Sequence, residues 1–336
     1  MAPDFDSRVR SADPVALARA LTLVENDADG AAALLARLSG GDPAVGRGAG
    51  SPGDVAGSAL RVGITGPPGA GKSTLVAALA KAWRAAGRRV GILAVDPTSP
   101  FTGGALLGDR IRMSALAGDD GVFIRSLATR GALGGLSRAV HDCADVLDAA
   151  GFDPIVIETV GVGQSEVAIA SAADVVVVVV APGSGDGVQA MKSGLLEAAD
   201  VLVVNQSDRA GAEGLASELE VAVELRFTDA KPPVLKTVAT TGEGVAALMA
   251  FVDARRGEAP GAAERLVTRR LARARLRVRE EVDRRRAALF WAAHEADLDR
   301  VAGEVATRGR TPADAASTLL AAPAAPTTPS PKGPRP

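Results

Sequence analysis

From Leu60 onward, short apolar runs alternate with longer stretches whose apolar residues recur at helical spacing. The runs are LRVGIT, RRVGILAVD, GVFIRS, PIVIET, DVVVVVVAP, VLVVNQ and PVLKTVA. Apolar runs without polar alternation read as parallel strands covered on both faces. Their alternation with helical segments predicts an α/β fold with a doubly wound, mostly parallel sheet. Such sheets bind ligands beyond the carboxyl ends of their strands. The residues that follow each run are therefore the candidates for chemistry.

The flanks read differently. Residues 13–39 carry apolar positions at helical spacing (Val15, Leu17, Ala20, Leu21, Val24), and AAALLARL continues the pattern after Gly30. GGDPAVGRGAGSPGDVAGS then reads as a Gly/Pro-rich linker. The core is expected to end near Gly257, and AERLVTRRLARARLRVREEVDRRRAALF, free of Pro and Gly, predicts a long helix. Its arginines suggest nucleic acid or, more simply, a solvated face whose Leu266, Leu271 and Val278 pack on something. The last stretch, APAAPTTPSPKGPRP, has a disordered composition. The expected division is 1–58 (N-terminal helical extension and linker), 59–257 (nucleotide domain), 258–320 (C-terminal helical arm) and 321–336 (tail).

Composition narrows the function classes. A chain of 336 residues with 47% hydrophobic and 23% charged residues can bury a sizeable core, as one large α/β domain with appendages or as two modest domains. A net charge of -2 gives no global push toward nucleic acid or an anionic membrane, and neither is expected as a partner. The single cysteine, Cys143, rules out an intramolecular disulfide and suits a reducing cytosol. No basic region followed by an apolar run opens the chain, so a signal peptide is not expected. The longest apolar run is too short to cross a bilayer, and a cytoplasmic location is expected.

The first strand runs into Gly66–Ser73, GPPGAGKS, a G-x-x-x-x-G-K-[ST] phosphate loop. Gly66, Gly69 and Gly71 let the backbone N–H groups of Gly66, Pro67, Pro68, Gly69, Ala70 and Gly71, where present, turn inward around a phosphate. Lys72 reaches toward the β- and γ-phosphates, the Ser73 hydroxyl can ligate Mg²⁺, and the helix that continues through Thr74 points its positive end at the anion. A chance Gly-rich turn would not carry Lys and Ser in register after a strand and before an amphipathic helix.

Mg²⁺ requires oxygen ligands. Asp96 ends the second strand, Glu158 ends PIVIET where a Walker-B acid would sit, and Asp109 lies in a loop. Each is read as a metal ligand, the alternative being a helix cap or a solvated loop charge. VLVVNQSD resembles the N-K-x-D guanine motif: Asp208 would accept from guanine N1–H and N2–H₂, donors that adenine lacks, and Asn205 would brace neighbouring loops. Gln206 replaces the Lys whose stem covers one face of the base, which lowers the expected affinity without removing the selectivity. TVATTGEG resembles the loop whose backbone N–H, among Val238, Ala239 and Thr240, reads guanine O6. ETVGVGQ resembles the D-x-x-G switch, with Glu158 for Asp and Gly161 as the mobile glycine; Gln164 lies off the usual catalytic offset.

Together these segments identify a family. GPPGAGKST, VDPTSPFTGGALLGDRIRM, ATRGALGGLS, IETVGVGQSE, GSGDGVQAMKSGLLEAAD and NQSD resemble the MeaB/ArgK-type GTPases, the methylmalonyl-CoA mutase-associated G proteins, over roughly Leu17 to Leu289. The resemblance implies a P-loop GTPase core using GTP/GDP and Mg²⁺. It also implies a chaperone role toward an adenosylcobalamin-dependent acyl-CoA mutase, and a homodimer formed through the C-terminal arm. It further implies mobile switch segments near 96–112, 158–166 and 182–194, the last containing Asp186 and Lys192.

Two rivals share the fold. A small-molecule or protein kinase would want an acceptor pocket with a lid and an arginine clamp, for which Arg125 and Arg130 are candidates. A metal-insertion GTPase would want clustered soft ligands. Here His141 and Cys143 stand at i and i+2 on a predicted helix and do not face one site.

Overall fold

The computed structural model describes residues 4–39, 59–96, 116, 118–128, 138–159, 165–183, 195–227, 231–256 and 261–321. They cluster into two compact units, 1–273 and 274–336.

In the first unit each of the apolar runs forms a strand: β1 Arg61–Thr65, β2 Val90–Asp96, β3 Val122–Ala128, β4 Ile155–Thr159, β5 Val175–Val180, β6 Val201–Asn205 and β7 Val234–Thr237. They make one seven-stranded sheet of order β3-β2-β4-β1-β5-β6-β7, and every pairing is parallel. After β1 the chain winds outward through β2 and β3, returns to insert β4 beside β1, and then crosses to β5 on the other side. The winding reverses at β1, so the ligand crevice of this topology opens past the carboxyl ends of β1, β4 and β5.

The all-valine strand shows why its sequence lacks polar alternation. Val175, Val177 and Val179 face one core, and Val176, Val178 and Val180 face the other. Helix α4 (Lys72–Ala85), with its buried Leu75, Leu79 and Trp83, covers the first face together with α9 (Val245–Ala254). The second face is covered by α5 (Arg138–Ala149), α6 (Ser165–Ala172), α7 (Leu195–Ala198) and α8 (Ala212–Arg226).

The N-terminal helices α1 (Phe5–Arg10), α2 (Pro14–Glu25) and α3 (Ala31–Ser39) pack into that second core against α5. Asp13 caps α2 by accepting the Ala16 N–H at 2.8 Å, and Pro14 occupies the first turn. The buried stripe is Leu17, Ala20, Leu21 and Val24, whereas Val15 is 71% exposed. Val15 sits two residues before Leu17, about 200° around the helix from the stripe. The short α1, capped by Asp4, has too few apolar positions for periodicity to announce it. The predicted linker at 40–58 lies outside the described residues.

The arm is one helix, α10 (Ala262–Ala306), followed by α11 (Pro312–Ala321). α10 extends well past Leu289, with pairs such as Arg300–Glu304 supporting its last turns. From Arg275 onward its arginines form the expected solvated face, where Arg275, Arg279, Arg284, Arg285 and Arg286 are exposed, but its first turns depart from that reading. Arg270 and Arg273 are buried, at 6% and 9% exposure, and both grip Asp174, at 3.0 and 2.9 Å. Arg269 pairs with Asp200 at 2.5 Å, and Leu266 is buried in the core. Leu271 and Val278 are exposed. In the second unit, Val301, Ala315 and Leu319 form a small core with Phe290 and Val305. Beside it lies an apolar groove of about 730 Å³ that includes Trp291, Leu298 and Leu320. No helix among the described residues is long and apolar enough to cross a membrane.

Candidate functional site

The phosphate loop leaves β1 at the sheet's reversal point and ends in α4. Gly66 has φ +136°, and a Cβ there would lie 2.0 Å from the Val179 carbonyl oxygen of β5, so no side chain fits. Gly71, φ +82°, is the cap residue of α4, and a Cβ on it would lie 2.5 Å from Asn205 Nδ2. These two positions need glycine for both backbone angle and space. No side chain caps α4, which leaves the positive end of the helix to an anion.

Lys72 is buried at the start of α4. Its ammonium donates to the carbonyls of Gly66 at 2.7 Å and Pro67 at 3.0 Å, which folds the side chain over the loop. The Ser73 hydroxyl donates to Glu158 Oε1 at 2.6 Å, both groups buried. Glu158 stands on β4 in register with Ile64 of β1 and Ala94 of β2, so the topology itself carries the carboxylate to the helix start. An alcohol and a carboxylate sharing one place are hard oxygen donors that suit Mg²⁺, which completes its shell with water and phosphate oxygens. Among the described residues no cluster of three or more His, Cys, Asp or Glu side chains could hold a metal by itself. A bound Mg²⁺ would thus be held by Ser73 and Glu158, directly or through water, and would offset the phosphate charge.

Asp96 ends β2, the strand beside β4, in register with Ala128 of β3. Asp109, Gly161, Gln164, Asp186 and Lys192 lie outside the described residues.

Asn205, at the end of β6, is 1% exposed and ties two loops together. Its Nδ2 donates to the Ala70 carbonyl at 2.9 Å, and its Oδ1 accepts from Thr237 Oγ1 at 3.0 Å and Ala239 N–H at 3.2 Å. The 237–244 loop closes on itself through Val238 N–H to Glu243 O at 3.0 Å and Thr241 N–H to Val238 O at 3.1 Å. Thr240 and Asp208 are exposed at the rim.

Sequence patterns missed two features of the site. Thr159 donates its hydroxyl to Thr65 at 2.9 Å, a fully buried link between the ends of β4 and β1. Threonine at a strand end carries no signal of its pairing partner. Gln206 also reaches the phosphate loop, its Nε2 donating to the Gly69 carbonyl at 3.0 Å.

Among the described residues, the candidate parts of the rival arrangements are engaged elsewhere. Arg125 is committed to α2, donating to Glu25 at 2.5 Å and to Thr22 at 3.1 Å; Arg130 lies outside the described residues. Cys143 is buried with its thiol toward the Leu21 carbonyl, and burial pushes its pKa far up, which keeps it a neutral thiol and a poor metal ligand.

The family model described as Methylmalonyl Co-A mutase-associated GTPase MeaB matches residues 17–295. A protein of Pyrococcus horikoshii named as a GTPase is 51% identical over 243 residues, 71% of this chain and 72% of that one. The GTPase ArgK of Escherichia coli is 41% identical over 201 residues, 60% of this chain and 58% of that one. A crystal structure titled LAO/AO transport system kinase aligns with a TM-score of 0.65 at 26% identity, covering 94% of this chain and 95% of that one. With its phosphate loop, the Glu158 carboxylate and the Asn205-braced loops gathered at one end of a parallel sheet, the chain belongs to the MeaB family of methylmalonyl-CoA mutase-associated GTPases and is a P-loop enzyme that hydrolyses GTP to GDP and phosphate.

Proposed function

We propose that the protein is a chaperone for an adenosylcobalamin-dependent acyl-CoA mutase, coupling GTP binding and hydrolysis to cofactor loading and to protection of the mutase. The name of the family supports the partner. The observation that carries guanine selection is the Asn205 bridge, which holds the Asp208 turn and the Ala239–Thr240 loop against the phosphate loop. In this reading Asp208 takes the guanine N1–H and N2–H₂, and the backbone at Val238, Ala239 and Thr240 meets O6. The backbone from Gly66 to Thr74 wraps the phosphates. Lys72 neutralises charge between the β- and γ-phosphates. Ser73 and Glu158 carry Mg²⁺, assisted by Asp96 and Asp109. Gly161 and Lys192 act in the segments that respond to the γ-phosphate. The apolar groove on the arm and the exposed Leu271 and Val278 support a homodimer built through that arm. A kinase reading is weaker because Arg125, its clamp candidate, is spent on α2.

The test is phosphate release from GTP with and without a cobalamin-dependent acyl-CoA mutase, on the wild type and on Lys192→Ala. Slow basal turnover should rise with the mutase, since a GTPase whose catalytic group is supplied by a partner gains about 10³ to 10⁵ fold. The substitution should blunt that rise. No stimulation by any such mutase would refute the chaperone reading, and stimulation untouched by Lys192→Ala would remove Lys192 from the coupling.

A further inference from the structure

We propose that Arg209 is an affinity determinant for the nucleotide, acting with Gln206 as a two-residue substitute for the lysine that covers the guanine base. The inference rests on the guanine reading above.

A lysine at position 206 would supply an apolar stem for the face of the base and a cation at its tip. Glutamine supplies a shorter stem and no charge. The structure nevertheless holds Gln206 in a specific pose. Its backbone is left-handed, φ +57°, an unusual conformation for a residue other than glycine. The turn is closed by Arg209 N–H to the Gln206 carbonyl at 3.0 Å and by Ser207 N–H to the Thr237 carbonyl at 3.1 Å. The side-chain amide is used at both ends. Nε2 donates to Gly69 O of the phosphate loop at 3.0 Å, and Oε1 accepts from Arg209 Nη1 at 2.6 Å. The guanidinium also passes close to Gly183 after β5, where a Cβ would lie 3.9 Å from Nη2.

The division of labour follows from donor and acceptor types. An amide NH₂ can satisfy the Gly69 carbonyl as an ammonium would, but a long uncharged side chain left alone spreads over rotamers. Arg209 has only donors to offer. By taking Oε1 it fixes the amide the right way round, holds the stem beside the base site and restores a positive charge within one hydrogen bond of the missing ammonium. Arg209 is exposed, so water screens the charge and its effect is moderate. It is a positioning residue, acting through Gln206.

The experiment is calorimetric binding of GDP, IDP and ADP to the full chain, with GTP turnover measured at saturation. Arg209→Ala should weaken GDP by about tenfold, the scale of one charge-assisted hydrogen bond discounted for exposure, while kcat at saturating GTP stays at its wild-type value. IDP lacks the N2 amino group read by Asp208 but offers the same ring face. The substitution should therefore weaken GDP and IDP by the same factor. Gln206→Lys added to Arg209→Ala should restore GDP affinity, because one residue then does both jobs. Unchanged GDP affinity in Arg209→Ala would overturn the proposal. A loss that collapses the GDP-to-IDP ratio would do so too, since it would mean that Arg209 only orders the Asp208 turn. Failure of Gln206→Lys to restore affinity would also count against it. Equal GDP and ADP binding by the wild type is a separate outcome that refutes the guanine reading and the substitute with it.

Discussion

At the carboxyl ends of β1, β4 and β6 the polar side chains hold backbone groups and one another, with no opposite charges paired. Lys72 rests on two backbone carbonyls, Ser73 donates its hydroxyl to the Glu158 carboxylate, and Asn205 holds a carbonyl and an N–H. At the amino ends of the same sheet, charged groups are locked to one another. Asp153, Asp174 and Asp200 precede β4, β5 and β6, and each accepts a backbone N–H from a neighbouring strand: Leu60 at 3.0 Å, Arg61 at 3.0 Å and Val176 at 2.8 Å. Each also meets an arginine from the chain after α9: Arg256 for Asp153, Arg270 and Arg273 for Asp174, and Arg269 for Asp200. A nucleotide phosphate or Mg²⁺ can compete for the first kind of bond at small cost. The Asp174 pairs are the firmest of the second kind, because separating a buried ion pair strands a charge, whereas the Asp153 and Asp200 pairs are partly exposed. One end of the sheet is built to change partners, and the other fastens the root of the arm.

The largest expected effect breaks the fastened end. Asp174→Ala should cost about 3–5 kcal/mol in urea unfolding, because it leaves Arg270 and Arg273 buried without their carboxylate. The nucleotide affinity of the folded protein should not change. The same carboxylate predicts a pH limb. Burial raises its pKa, but Arg273, Arg270 and the Arg61 N–H outweigh burial and hold it below the ordinary 3.8. Its stabilisation is therefore complete above pH 3.8 and lost as the pH falls further, through the folded-state value. Unfolding midpoints measured from neutral pH into acid should show that loss in the wild type and a flatter limb in Asp174→Asn.

Lys72→Ala should act in the opposite sense, lowering kcat for GTP by about 10²–10³ fold with a far smaller change in unfolding free energy than Asp174→Ala gives. Similar stability losses in both variants would erase the distinction between the ends. Asn205→Ala tests the one exchangeable-end residue that also braces loops: nucleotide affinity and stability should fall together, stability by about 1–3 kcal/mol, as seen by calorimetry and urea titration. Ser73→Ala should have the mildest effect, raising the Mg²⁺ needed for half-maximal turnover. An unchanged Mg²⁺ titration would remove Ser73 from the metal site.

The two ends were also unequally legible in the sequence. The strands and the phosphate loop could be read because their signals are local: unbroken apolar runs, and glycines with Lys72 and Ser73 at fixed offsets. Asn205 stood out for the same reason, as part of a contiguous motif. The aspartate–arginine fastening did not, because its partners are 96 residues apart, as for Asp174 and Arg270, and an arginine-rich helix looks the same whether water or a carboxylate answers it. Asp174 and Asp200 directly before apolar runs were the available clue, since the first strand N–H groups at a sheet end need acceptors. Val15, one of the apolar positions at helical spacing, lies outside the buried stripe because apolar character alone does not fix the angle around a helix. The Gln206 contact to Gly69 was hidden by its apparent status as a defect in a motif.

Turnover of GTP against ATP by the wild-type protein with Mg²⁺, measured as phosphate release over a substrate titration, tests the central claim most directly. A site whose carboxylate at Asp208 is matched to guanine donors should favour GTP in kcat/KM by at least about 100-fold, since an analogue lacking those donors leaves the carboxylate without its partners. Equal kcat/KM for the two nucleotides would contradict the account.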